Sequence, residues 1–171
     1  MSEVHSILVT GAAGLLGSHF CKHLLQAGHS VIGIDNLSGG YLDNVPPGVF
    51  LYTNDLTDAK AVDSIMERHS FDYVYHFAAY AAVGLSPFIR NFNYSNNILA
   101  SINLINGSVK YNVKKFIFAS SMDVYGEQIP PFTEDMKPNP QDPYGIAKFA
   151  VEMDLANAKR QFGLDLSLIH I

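Results

Sequence analysis

Three glycines at three-residue spacing, Gly11, Gly14 and Gly17, separate a short apolar run, Ser6 to Thr10, from Leu16, Phe20, Leu24 and Ala27, which recur at helical spacing. A strand that passes straight into a helix needs such residues. Gly11 permits the tight turn, Gly14 lets a ligand approach the backbone, and Gly17 lets helix and strand pack closely. The helix so opened presents unpaired N–H groups and a partial positive charge at its start, a setting suited to phosphate groups. Gly28 is a natural helix stop. The spacing is G-x-x-G-x-x-G rather than G-x-G-x-x-G, and three turn or packing glycines are the plainer reading. The strand before and the helix after favour a dinucleotide-binding loop.

The rest of the chain keeps alternating. Strands are expected at Val31 to Asp35, Val49 to Thr53, Asp72 to Phe77, Lys115 to Ala119 and, beginning at the end, Leu164 to Ile169. A helix is expected over Asp58 to His69, with Ala61, Ile65 and Met66 on one side. A long one starts near Tyr94 and is marked by Ile98, Ile102, Ile105 and Val109; another runs from Asp142 to Phe162. Strands alternating with helices of this length imply βαβ units and an α/β fold with a doubly wound parallel sheet, the Rossmann fold. Ligands of such sheets bind at the carboxyl ends of strands. Two long loops lie there: Asn36 to Gly48, rich in Gly, Asn and Pro, and Glu127 to Pro143, with five prolines.

A chain of 171 residues, 48% hydrophobic, is enough for one compact domain. Its single cysteine, Cys21, excludes an internal disulfide and reads as a small buried residue. Met1 to Ser6 has no basic segment leading into an apolar one, and no apolar run reaches the length of a membrane span, so no membrane partner and a cytoplasmic location are expected. The net charge of −5 and scattered basic residues argue against nucleic acid. His19 and His23 are four apart with no third ligand near them, so no metal site is expected, and His76 reads as a hydrogen-bonded core histidine.

Asp35 ends the second strand, where a carboxylate can accept hydrogen bonds from both hydroxyls of an adenosine ribose. It would repel a 2′-phosphate, and no Arg or Lys follows in Asn36 to Gly40, so the expected cofactor is NAD rather than NADP. Asp55 reads either as an adenine contact or as part of a turn leading into a helix. Tyr144 and Lys148 are four apart and share a helix face. An ammonium beside a phenol favours the phenolate, so the pair is expected to form a general acid/base with a lowered tyrosine pKa. The bland alternative is an aromatic and a surface lysine. Ser120 and Ser121 follow the fifth strand; a hydroxyl there can meet a substrate oxygen, and a cap or turn role is preferred for Ser120.

Taken together, T-G-A-A-G-L-L-G, D-N-L-S-G-G, H-F-A-A-Y-A-A-V-G, Y-S-N-N, F-I-F-A-S-S-M-D-V-Y-G and P-Y-G-I-A-K resemble the extended short-chain dehydrogenase/reductase superfamily. The similar branch is that of NAD-dependent nucleotide-sugar epimerases and dehydratases, and UDP-glucose 4-epimerases look nearest. In that family bound NAD takes a hydride from C4 of the sugar, a tyrosine removes the hydroxyl proton, and the hydride returns to the other face. The resemblance implies Tyr144 as acid/base, Lys148 as its partner and nicotinamide-ribose contact, and Ser121 as the hydroxyl partner. It implies a cofactor site formed by Gly11, Ala13, Gly14, Leu15, Leu16, Gly17, Asp35, Asn36, Asp55, Leu56, Phe77, Ala78, Ala79, Asn97, Ser120, Tyr144 and Lys148. A helix-cap role is the alternative for Asn97.

The departures matter. Ala81 stands where the epimerases often carry a lysine near the pyrophosphate, so phosphate binding rests more on backbone. Dehydratases carry an Asp-Glu pair after the Ser/Thr; Met122 cannot transfer a proton, which counts against that reaction. Asp123 occupies the position of the Glu in dehydratases and UDP-glucuronate decarboxylases, so a decarboxylase or another sugar-nucleotide reductase stays open, as does a solvated loop role. A non-catalytic NAD-binding module is the third reading, against which the intact Ser121, Tyr144 and Lys148 stand. Relatives run to about twice this length and end in a substrate domain, so residues 1–165 read as an incomplete NAD-binding domain that binds NAD weakly and turns over no sugar. Residues 166–171, L-S-L-I-H-I, match a translated transposon end used in sequencing libraries and are expected to be a non-native tail, in part or whole. The helices Tyr94 to Tyr111 and Asp142 to Phe162 are apolar on more than one face. In this family they form a four-helix bundle between subunits, so a homodimer is expected of the full-length parent, with a UDP-sugar as substrate.

Overall fold

The computed structural model describes residues 3–171. Strand β1 (Ser6–Thr10) leads through the glycine loop into α1 (Leu15–Gln26), then β2 (Ser30–Ile34) and β3 (Phe50–Tyr52). Next come α2 (Ala59–Arg68), β4 (Tyr73–His76) and a helical stretch of three parts. Those parts are α3 (Arg90–Tyr94), one turn of wider π pitch (Ser95–Leu99) and α4 (Ala100–Lys110). Then follow β5 (Lys115–Ser120), α5 (Pro143–Phe162) and β6 (Asp165–His170). All six strands are parallel, in the order β3-β2-β1-β4-β5-β6. The fold is the doubly wound α/β sheet that alternation implied. The strand order reverses between β1 and β4, and there the loops leaving the two strands diverge and open a crevice.

Alternation of side chains across each strand sends two apolar sets to opposite faces. Leu8, Ile34, Val74, Phe116 and Phe118 pack with Val62 and Met66 of α2, Leu104 of α4, and Val151 and Leu155 of α5. Ile7, Val9 and Val31 pack against Cys21 and Leu24 of α1. Helix ends follow local chemistry. Asp58 and Asp142 accept the first free N–H groups of α2 and α5, Pro143 stands at the first helical position of α5, and Gly163 with φ +75° ends it.

Several expected faces differ. On α1, Leu16 and Ala27 are exposed, and the inward residues are Gly17, Ser18, Cys21 and Leu24. On α2, Val62 rather than Ala61 joins Ile65 and Met66. The long helix begins at Arg90, four residues before Tyr94, and its inner side carries Asn93, Asn97, Ser101 and Ser108 beside Leu104 and Ile105. Apolar periodicity misses such a face, because its buried polar groups are stabilised by partners distant in sequence: Asn93 Nδ2 donates to the Pro143 carbonyl at 2.9 Å. Residues 166–170 form all but the first residue of β6, paired along the whole of β5. That pairing uses backbone N–H and C=O groups, which nearly any sequence supplies. No helix among the described residues is long and apolar enough to cross a membrane.

Candidate active site

The crevice between the β1 and β4 loops encloses about 270 Å³. Gly11, with φ +71°, turns the chain there, and a Cβ on it would lie 2.8 Å from the Ala78 amide nitrogen. A Cβ on Gly17 would overlap the Gly11 carbonyl oxygen. Gly14 caps α1 without a side-chain hydrogen bond, so the first-turn amides are left for a ligand. Leu15 and Leu16, 76% and 49% exposed, stand on that rim. Replacing Gly17 with Val is therefore expected to push α1 off β1, at about 1–3 kcal/mol, and to weaken NADH binding tenfold or more. Urea unfolding and NADH fluorescence titration of the variant check it; unchanged binding would refute the cradle.

Asp35 lies on the crevice wall beside Asn36. Its two oxygens accept the Ala13 and Leu37 amides, at 3.0 and 2.8 Å, so the carboxylate ties the glycine loop to the β2 exit and keeps free lone pairs for ribose hydroxyls. Ala13 is fully buried and does not line the crevice; its amide donates to Asp35 and its carbonyl accepts the Tyr41 amide at 3.1 Å and the Asn44 side chain at 3.0 Å. Asp55 and Leu56 also line the crevice. Burial would raise the Asp55 carboxyl, but hydrogen bonds from the Thr57 amide, the Thr57 hydroxyl and Asn36 outweigh it and hold the group below its ordinary value. Among the described residues no Lys or Arg lines the crevice, so an anion there rests on backbone amides. A cradle with no room for Cβ atoms, free helix amides and a carboxylate at the end of β2 fit a dinucleotide.

Phe77, Ala78 and Ala79 form the opposite wall. Asn97 does not reach the crevice. It is buried at 2% exposure, accepts the Tyr80 amide at 2.8 Å and donates to the Tyr80 carbonyl at 3.1 Å, which pins the loop after β4. It sits inside a continuous helix rather than at its cap, and its neighbour Asn96 faces the crevice. Ile34, Ser38, Gly39, Gly40, Asn54, Tyr80 and Ala100 are lining residues beyond those expected. Ser38 to Gly40 stand in the D-N-L-S-G-G run, whose Asp was read for its charge while its glycines carried no side-chain signal.

The expected core histidine is found: His76 is fully buried, and its bonds set its tautomer. The Ser101 hydroxyl donates to the Asn97 carbonyl at 2.7 Å and so receives the His76 Nε2–H at 2.8 Å. Nδ1 is then the acceptor of the Thr10 hydroxyl at 2.7 Å, and the Thr10 oxygen receives the Ala78 amide at 3.3 Å. Burial, helped by the Lys148 charge, pushes the ring down to about 3.

Ser121, Tyr144 and Lys148 meet beyond the end of β5, outside the crevice wall just described. The Ser121 hydroxyl donates to the Asp123 carboxylate at 2.9 Å and accepts the Asp123 amide at 3.2 Å. Asp123 is half-buried and engaged rather than freely solvated. Lys148 is almost fully buried; its ammonium donates to the Ala119 carbonyl at 2.7 Å and lies 4.7 Å from the Phe118 ring centre and 5.6 Å from that of Tyr144. Burial pushes it down to about 8, against a rise from Glu152. The expected lowering of Tyr144 is not found. Burial, then the charges of Asp123 and Asp142, push its phenol above the ordinary value, and only the Ser121 hydrogen bond pulls it down. The Lys148 ammonium directs one of its N–H groups to the Ala119 carbonyl rather than to the Tyr144 oxygen. Ser120 turns away from the crevice and donates to Glu152. Glu152 was missed, although its place four residues after Lys148 was legible.

The sequence profile described as the NAD dependent epimerase/dehydratase family matches residues 7–170. UDP-glucose 4-epimerase of Bacillus subtilis (strain 168) is 37% identical over 172 residues, covering 94% of this chain and 51% of the relative. The solved UDP-glucose 4-epimerase of Thermotoga maritima, holding UDP-glucose, superposes with a TM-score of 0.94 at 39% identity, over 96% of this chain and 54% of that one. That of Thermus thermophilus, in complex with NAD, does so with 0.92 at 34%, over 96% and 54%. The chain spans about half the length of these relatives. With a matching profile over nearly its whole length, the chain belongs to the NAD dependent epimerase/dehydratase family, and the lining of the crevice fits a dinucleotide.

Proposed function

We propose that the chain carries the cofactor-binding and proton-transfer parts of a UDP-sugar 4-epimerase, interconverting UDP-glucose and UDP-galactose in the full-length protein. The observation that carries the reading is one crevice, walled by the glycine loop and Asp35, with Ser121, Tyr144 and Lys148 beyond the adjoining strand end. The free first-turn amides of Leu15, Leu16 and Gly17 would hold the pyrophosphate and Asp35 the adenosine ribose of NAD. Bound there, NAD supplies reversible acceptance of a hydride from a sugar carbon. Tyr144 takes and returns the proton of the sugar hydroxyl, Ser121 orients that hydroxyl, and Lys148 supplies positive charge beneath the tyrosine ring.

Asp35 favours NAD over NADP. We expect this chain, which has no tryptophan to obscure the signal, to enhance NADH fluorescence at least tenfold lower concentration than NADPH. Asp35→Asn should narrow the gap by removing the charge that repels a 2′-phosphate. Equal affinity for the two in the unsubstituted chain would sink the assignment.

Asp123 supports a second reading, a UDP-glucuronate decarboxylase, since an engaged acid next to Ser121 and acting on Tyr144 could serve a further proton transfer. Supplying the full-length parent with UDP-galactose and UDP-glucuronate separately, and following products by NMR, decides between them. UDP-glucose from the first supports the epimerase; carbon dioxide from the second supports the alternative. Homodimerisation of that parent is part of the proposal, supported by Phe92, Leu99, Ile146 and Met153, apolar and exposed on α3, the wide turn and α5.

A further inference from the structure

Tyr144, Lys148 and Glu152 stand at successive four-residue steps on α5, so all three face the sheet in one row. Tyr144 and Lys148 have roles in the proposed reaction, and Glu152 has none. It is nevertheless nearly buried, its side chain only 10% exposed. The end of β5 is what joins it to the lysine. The carbonyl of Ala119 accepts from the Lys148 ammonium, and the hydroxyl of the next residue, Ser120, donates to the Glu152 carboxylate. No direct ion pair links Lys148 and Glu152 among the described residues. Two opposite charges thus hold consecutive residues of one strand end, a helical turn apart.

We propose that Glu152 is a positioning residue for Lys148: anchored by Ser120, its carboxylate keeps the buried ammonium charged and seated under the Ala119 carbonyl beneath Tyr144. Taking an ammonium out of water favours the neutral amine, and a fixed carboxylate nearby opposes that. The direction agrees with the Lys148 environment, in which burial lowers the group and Glu152 raises it. Other groups facing the pair cannot do this. His76 of β4 is neutral and fully buried, and Phe118 offers only a ring face. Towards Glu152, β6 presents His170, with Nε2 at 3.1 Å from its carboxylate, and Glu134 lies 3.6 Å from the other ring nitrogen. Tyr125 is raised in part by the Glu152 charge and so feels the same carboxylate. The role of Lys148 itself rests on the proposed function; its titration does not.

The test is the titration of Lys148 in this chain, with lysine labelled at Cε and followed by NMR, free of any assay of turnover. In the unsubstituted chain the midpoint is expected near 8. Glu152→Gln keeps the size and the acceptor for Ser120 but removes the charge. It should lower the midpoint by about one unit, leaving a roughly tenfold smaller ratio of ammonium to amine at any given pH. Glu152→Asp, which restores a charge on a shorter arm, should recover part of the shift. His170→Ala should leave the midpoint in place. An unmoved midpoint in a folded Glu152→Gln chain overturns the proposal, since a clamp that acts only through hydrogen bonds would lower thermal stability without touching the titration. A shift in His170→Ala equal to that in Glu152→Gln also overturns it, because the carboxylate would then not be the source. Failure of the chain to bind NADH, with the Lys148 shift intact, would strike the proposed function and leave this inference standing.

Discussion

Tyr144→Phe in the full-length parent is expected to lower turnover of UDP-galactose by about 10²–10⁴, the usual worth of a placed acid/base, with NADH affinity changed less than threefold. The substitution removes one oxygen and keeps a buried ring that packs the start of α5. The pH dependence is the sharper part. Burial and the charges of Asp123 and Asp142 raise the phenol, so in the free protein it keeps its proton at neutral pH. Turnover limited by its ionisation should therefore climb as pH rises above neutrality. Asp123→Asn removes the one of the two nearby carboxylates that acts more strongly on Tyr144 while leaving an acceptor for Ser121. The rising limb should move to lower pH. Steady-state rates of the two variants between pH 6 and 10 check both statements, and a Phe variant within a few-fold of the parent would remove Tyr144 from the chemistry.

Acid is expected to begin weakening the fold near pH 6.5, above the ordinary carboxylate range, and His76 is the cause. Its ordinary value of 6.5 applies to the unfolded chain, and burial lowers it to about 3 in the folded one. A group lowered on folding contributes fully above its unfolded value and loses that contribution as pH falls towards the folded value. Between pH 6.5 and 3 the unfolded chain alone takes up the proton. Stability should fall by about 1.4 kcal/mol per pH unit as pH drops through that window. Protonation at Nδ1 would also break the bond from Thr10, the last residue before the glycine loop. His69, lowered mainly by burial and then by Arg68, adds with the same sign as pH falls below 6.5. Urea unfolding by circular dichroism at pH 7 and pH 4.5, on the parent chain and on His76→Gln, isolates the term. The Gln variant should be less stable at pH 7 and lose less on acidification; equal losses in the two chains would show that His76 is not the source.

Much of the fold was legible because its signals are local. Strand and helix periods announced an alternating α/β chain, and glycine spacing located the loop at the strand switch. Asp35 could be placed because the end of a strand next to that loop has one position in such a sheet. His76 could be read as a core residue from the buried strand that carries it. Helix faces were harder. The inner side of the stretch from Arg90 is polar, and its Asn and Ser residues find partners such as the Pro143 carbonyl and the Tyr80 backbone, far away in sequence. Hence Asn97 was expected at the cofactor, while the structure makes it a clamp and turns Asn96 outward.

The spacing of Gly11, Gly14 and Gly17, the charge of Asp35 and the four-residue step from Tyr144 to Lys148 were determined by sequence alone, since each is a relation between near neighbours or a property of one side chain. Tertiary structure decided that the Gly11 carbonyl fills the space a side chain on Gly17 would need, and that the Lys148 ammonium donates to the Ala119 carbonyl. It also decided that Tyr144 is raised rather than lowered. A pKa sums desolvation and the charges of every element packed around a group, and helical spacing reports only the neighbours on its own helix.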